Sequence, residues 1–196
     1  PREAEWPGWR FYASVDMTPA NSQWTDMPAF TKYIERCQSF LQWGEPDNDL
    51  LVYLPYYDMI YEQPDRLALF DIHSMERRAP KFIHTIQSII KNSYDVDYIS
   101  DKYLAQTKIN GGSLTTTGKN AYAGIIVPGV RFMPLSTLEK LVELADKGAT
   151  IVFTESMPQS VPGYNNEAEQ EQFDRIISNA KKMKNIIVAE STETGL

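Results

Sequence analysis

Hydrophobic positions along this chain alternate between two rhythms. Continuous apolar runs at 50–54, 96–99, 123–127, 150–154 and 186–189 read as strands buried on both faces. Between them, apolar residues recur at helical spacing. One such helix covers about 79–92, with Pro80 in its first turn and Phe82, Ile83, Ile86, Ile89 and Ile90 facing inward. The next starts at Pro134, turns Leu138, Leu141, Val142 and Ala145 inward and stops at Gly148; the last buries Phe173, Ile176, Ile177 and Ala180. After the second strand, a short helical turn at 101–106 leads into a hairpin-like excursion with turn signals at Asn110-Gly111-Gly112 and Gly118-Lys119-Asn120, expected to decorate one sheet edge. The expected class is α/β: a three-layer, mostly parallel five-stranded sheet of flavodoxin-like or class I amidotransferase-like type. Right-handed crossovers make 2-1-3-4-5 the simplest strand order.

The first third departs from this rhythm and reads as a seam between domains. An apolar run, Phe11 to Val15, ends at Asp16, and a polar aromatic loop carries Asn21 and Trp24. An amphipathic helix over 28–43 follows, with Phe30, Ile34, Cys37 and Leu41 on one stripe, and Gly44-Glu45-Pro46-Asp47-Asn48-Asp49 separates it from the next strand. Residues 1–46 are therefore assigned to an upstream domain or its interface, and 47–196 to a second domain. The chain begins Pro1-Arg2-Glu3, which reads as an excised piece with any targeting signal upstream.

Charge and cysteine content narrow the function classes. A net charge of −7, with scattered Lys and Arg, argues against nucleic acid or anionic membrane as a main partner. The one cluster, Lys181-Lys182 with Lys184, complements a helix C-terminus. No apolar run is long enough to span a bilayer. The single cysteine, Cys37, rules out an internal disulfide and is expected to be a small buried hydrophobe.

The strongest catalytic signatures are missing. No glycine-rich phosphate loop follows the first strand of the sheet, which disfavours a nucleotide or flavin. After the fourth strand, Thr154-Glu155-Ser156-Met157-Pro158 lacks the small residues that flank a nucleophile in a sharp elbow, so Ser156 reads as a loop serine. His84 falls on the polar side of its helix, whereas His73 sits beside Asp71 in an aromatic loop, where a site role and loop packing both remain open. Neither histidine has a second ligand at metal spacing. Asp16 is the best-placed single acid, at the C-terminal end of a strand. Asn21 offers an amide or a turn cap, and Trp24 a stacking ring for a sugar or a buried ring against the helix. Tyr56 and Tyr57 lie in a long loop over 55–75, also carrying Tyr61 and Phe70, that reads as an interface or a ligand rim.

Several of these segments resemble the glycoside hydrolase family 106 α-L-rhamnosidases of bacteria. They are Gly8-Trp9-Arg10-Phe11-Tyr12-Ala13-Ser14-Val15-Asp16, Asn21-Ser22-Gln23-Trp24, Ile34-Glu35-Arg36-Cys37-Gln38-Ser39 and Pro46-Asp47-Asn48-Asp49. Further on come Asp71-Ile72-His73, Arg78-Ala79-Pro80-Lys81-Phe82 and Asp97-Tyr98-Ile99-Ser100-Asp101. The resemblance implies a large, often exported, multi-domain enzyme with a (β/α)8 barrel, a calcium-associated site and inverting chemistry by two carboxylates. It places those carboxylates upstream of Pro1, so no catalytic residue is carried onto this chain. It makes Phe11 to Asp16 the closing barrel strand and residues 28–43 its last helix. The domain from Leu50 onward is similar to the β-galactosidase trimerisation domain, an amidotransferase-like sheet without its nucleophile.

Three functions follow. The first is a non-catalytic ancillary domain of a rhamnosidase-type glycoside hydrolase, partnered by the upstream barrel and the carbohydrate substrate, with no cofactor of its own and calcium only in the full-length enzyme. Its localisation by resemblance is periplasmic or secreted. The second is a free-standing flavodoxin-like module that binds a small molecule or carbohydrate at the switch point near Tyr56 and Pro128-Gly129. The third is an amidotransferase-like enzyme with a displaced nucleophile.

Overall fold

The structure, a computed structural model, describes residues 18–19, 21–61, 75–164 and 166–196. The chain divides into two compact units, Pro1–Glu45 and Pro46–Leu196. The described part of the first unit holds a 3-10 turn, Trp24–Asp26, and one helix, α1 (Met27–Leu41), with Pro28 in its first turn. The second unit begins with β1 (Leu50–Tyr53), α2 (Tyr56–Tyr61), α3 (Met75–Arg78), α4 (Pro80–Lys91), β2 (Val96–Ile99) and α5 (Asp101–Leu104). It continues with β3 (Lys108–Asn110), β4 (Ser113–Thr115), β5 (Ala121–Tyr122), β6 (Gly124–Val127) and α6 (Leu135–Asp146). It ends with β7 (Thr150–Thr154), α7 (Glu167–Ala180), β8 (Ile186–Ala189) and α8 (Thr192–Gly195).

Five strands pair in the order β2-β1-β6-β7-β8, all parallel. Counting only these strands, the order is 2-1-3-4-5, as the pattern of runs predicts. Period-two alternation sends successive side chains to opposite faces. Leu51 and Tyr53, Ile125 and Val127, and Ile151 and Phe153 join one core with Leu138, Leu141 and Leu144 of α6 and Phe173 of α7. Val52, Ile126 and Val152 join the other with Phe82, Ile86 and Ile89 of α4. Helices thus cover both faces, giving the three-layer α/β class.

The outer strands relax the rule: Ile187 and Val188 of the edge strand β8 are exposed, and so is Tyr98 of β2. The excursion after β2 is a three-stranded antiparallel sheet, β3-β4-β5, which Tyr122 ties to the β2 edge by donating its hydroxyl hydrogen to Asp97 at 2.7 Å. The C-terminal turn packs close to the sheet at Gly195, where a Cβ would stand 2.6 Å from Val152 Cγ1.

Three expectations are corrected. The segment 55–75, expected as one loop, is helical at Tyr56–Tyr61 and again from Met75 to Arg78. Pro55 precedes the first of these, Asp58 lies in its first turn and Met59 is buried, so a short helix forms where only the aromatic content stood out. Ile90 is 57% exposed, because a helix turns about 100° per residue and Ile89 already points at the sheet. Buried Thr85 and Ser88 complete that stripe instead. Cys37 is half-buried, not buried, since α1 contains no buried residue at all.

Truncating Phe153, fully enclosed in the larger core, should cost about 3–5 kcal/mol for Phe153→Ala. Ile90→Ala should stay within about 0.5 kcal/mol. Urea unfolding of both variants checks the contrast.

Candidate functional site

In an open parallel sheet, ligands sit outside the carboxyl ends of the strands, where the strand order reverses. Here that point lies between β1 and β6. β1 runs out through Leu54-Pro55 into α2, β6 into Pro128-Gly129-Val130-Arg131, and β7 into Glu155-Ser156. A cavity of about 220 Å³ opens at this edge, its walls including Pro55, Met59, Lys81, Pro128, Val130 and Arg131. Ser156 and Gln159 line both this cavity and a neighbouring one of about 500 Å³, which Glu155 also borders.

Two side chains shape the loop after β6. Asp58 on α2 accepts hydrogen bonds from the backbone N–H groups of Arg131 at 2.7 Å and Phe132 at 3.1 Å. The Arg131 guanidinium lies 5.2 Å from the Tyr61 ring centre and 5.0 Å from that of Phe132, and the two rings are 4.7 Å apart. The carboxylate clamp therefore orients both a cation and an aromatic pair at the strand ends.

A charged pair crosses the same edge. Lys81 at the start of α4 reaches Glu155 after β7, with Nζ to Oε2 at 2.6 Å and side chains 54% and 49% exposed. Exposed pairs of this kind contribute only ~0–1 kcal/mol. Glu155 nevertheless holds a left-handed backbone, φ +64°, which is uncommon for a non-glycine residue. Its N–H donates to the Ala189 carbonyl at 2.7 Å. The pair lies against Gly129, where a Cβ would meet Glu155 Oε2 at 2.9 Å and Lys81 Nζ at 3.1 Å.

A buried polar knot sits where β1 and β2 end. Tyr53 is wholly enclosed and donates to Asp101 Oδ1 at 2.8 Å, and Thr137 donates to the same oxygen at 2.6 Å. Burial, then the adjacent Asp101 carboxylate, pushes the Tyr53 phenol far above its ordinary range. Tyr57 is also raised, by burial first and then by Asp101 and Tyr56.

The sequence-derived site residues scatter over this picture. Tyr56 and Tyr57 stand edge to face at 5.5 Å on α2. Asn21 closes a turn by accepting the Gln23 N–H on its side-chain oxygen at 2.8 Å, and Trp24 starts the 3-10 turn with its side chain exposed, not buried. These two pairs belong to different units. Asp16 and His73 lie outside the described residues. His84 is exposed on α4, as expected. The segment after β7 makes no strand-to-helix elbow: Ser156 to Tyr164 holds no helix, and α7 begins only at Glu167. Among the described residues, no three His, Cys, Asp or Glu side chains gather to hold a metal.

Sequence reasoning located the switch point but missed Asp58, Lys81, Arg131 and Glu155 as its furniture. Asp58 in the first turn after Pro55 was the one local signal available.

A family model described as alpha-L-rhamnosidase, that of glycoside hydrolase family 106, matches residues 1–192. The chain belongs to this family. This family 106 chain is also similar, at 23% identity over 141 residues, to a putative beta-glucuronidase of Formosa agariphila; the match covers 72% of the chain and 10% of that protein. In fold it resembles the rhamnosidase from Novosphingobium sp. PP1Y, with a TM-score of 0.61 and 17% identity over 92% of the chain and 16% of that enzyme. The family 106 chain thus spans about a tenth to a sixth of the length of these relatives.

The Tyr53 phenol gives a pH test. An unfolded chain releases its phenolic protons near pH ~10, whereas the folded chain retains this one, so its contribution is full below that pH and is lost as pH rises. Tyr53→Phe should cost about 0.5–1.5 kcal/mol at neutral pH and flatten the fall in stability above pH ~9.5. Urea midpoints measured from pH 7 to 11 check this.

Proposed function

We propose that this chain is an architectural, non-catalytic part of a larger rhamnosidase-type glycoside hydrolase that removes terminal rhamnosides. In this reading residues 1–46 contribute the last strand, loop and helix of a (β/α)8 barrel, and residues 47–196 form the ancillary domain that follows it in the chain. Two carboxylates facing one glycosidic bond perform the cleavage, as such chemistry requires, and they belong to the barrel portion of the longer protein. Any calcium belongs there too. Asn21 and Trp24 extend from the barrel's final loop toward the sugar, the amide bonding hydroxyls and the indole stacking on a ring face. The working partners are the barrel and the carbohydrate, with no role for nucleic acid or membrane.

The observation that carries the reading is the surface of α1 and the residues that follow it. Phe40 and Leu41 are each 80% exposed and Trp43 is 92% exposed, beside exposed Phe30 and Tyr33. An apolar helix face of that size calls for a covering neighbour. In the described part of the sheet unit, by contrast, helices close both cores over β1, β6 and β7. The small share of the related rhamnosidase that the chain spans supports the same division of labour.

The longer protein should hydrolyse an aryl α-L-rhamnoside, and the 196-residue chain should not. Leu41→Asp should lower the melting temperature of the longer protein by several degrees yet leave the unfolding free energy of the chain alone within about 0.5 kcal/mol. Hydrolysis by the chain itself, or an equal effect of Leu41→Asp in both, would refute the proposal.

A further inference from the structure

The Lys81–Glu155 pair is unusual in what surrounds it. It joins segments 74 residues apart and lies on the backbone of a glycine, and its acid comes from a left-handed residue. Strained backbone of this sort concentrates at binding and catalytic sites, where it aims a side chain that a relaxed turn would not. An exposed ion pair contributes little stability of its own, so holding the fold together does not account for this arrangement.

The pair is suited to a different task. An ammonium only donates hydrogen bonds and a carboxylate only accepts them, whereas each sugar hydroxyl does both. Neighbouring hydroxyls on a sugar ring stand about one hydrogen-bond length, ~2.8 Å, apart. Lys81 lines this cavity, and its Nζ stands 2.6 Å from Oε2 of Glu155, which borders the adjoining cavity of about 500 Å³. One hydroxyl of a vicinal diol can donate to Glu155 while its neighbour accepts from Lys81. The cavity wall that Lys81 shares includes Pro55, Met59, Pro128 and Val130, apolar residues suited to the C–H face of a ring. The cavity, about 220 Å³, lies below the ~300–1,000 Å³ of sites for drug-sized ligands, which suits one sugar ring. Gly129 leaves open the space that the pair occupies.

We propose that the switch-point cavity of the sheet unit is a carbohydrate-binding subsite that takes one sugar ring through a vicinal diol held between Lys81 and Glu155. It does not depend on the architectural reading above, because the site lies wholly in Pro46–Leu196 and its test measures binding, not hydrolysis.

The test is a titration of the isotopically labelled 196-residue chain with methyl α-L-rhamnoside, followed by backbone amide NMR shifts. The expected result is saturable shifts centred on Lys81, Gly129 and Glu155. Lys81→Met and Glu155→Gln should each weaken binding at least tenfold while melting like the parent chain. The 2,3-O-isopropylidene derivative, whose diol is blocked, should not bind. Absence of saturable shifts, equal binding of the blocked glycoside, or binding indifferent to both substitutions would overturn the proposal. Inorganic phosphate that shifts the same amides with an affinity equal to that of the rhamnoside would also overturn it, since it would make the site one for anions.

Discussion

Burial of both faces of the parallel sheet is the constraint from which the rest of this structure follows. Once β1, β6 and β7 are enclosed between α4 on one side and α6 with α7 on the other, their side chains are committed to packing. Polar chemistry is left with the strand ends. The features with chemical character gather there: the Asp58 clamp on the loop after β6, the Tyr53–Asp101–Thr137 knot and the Lys81–Glu155 pair. The knot is enclosed and serves the fold, while the pair faces solvent at a cavity. That difference in exposure separates a structural polar group from one available to a ligand.

The first unit obeys a different logic. Helix α1 has an amphipathic pattern as clear as that of α6, yet none of its residues is buried. Amphipathic periodicity states which face of a helix is to be covered; it does not supply the cover. This contrast is what the proposed architectural role rests on, and it goes with Cys37, expected in a core, being half-buried.

Much of the sheet unit was legible in the residues because its signals are local. Runs such as Ile151-Val152-Phe153 announce a doubly covered strand, Pro80 and Pro134 announce helix starts, and the order 2-1-3-4-5 follows from crossover handedness. Short helices such as Tyr56–Tyr61, which only Pro55 and Asp58 mark locally, are of marginal intrinsic stability and form because tertiary contacts such as those of Met59 hold them. The candidate site was legible in position but not in membership. The strand-order reversal points to Pro128-Gly129 from topology alone, whereas Lys81 and Glu155 meet only because three distant segments converge. Glu155 was read for what it lacks as a flank of a nucleophile; its left-handed backbone is visible only in the folded chain.

The central claim is that one unit completes its own core while the other requires a neighbour, and hydrogen exchange tests both halves in a single comparison. In the 196-residue chain, amides of β1, β6 and β7 should be strongly protected and those of α1 should exchange quickly. In the longer protein, protection of α1 should rise by at least about a hundredfold, with the sheet unchanged. Fast exchange of α1 in both, or strong protection of α1 in the chain alone, would contradict the account.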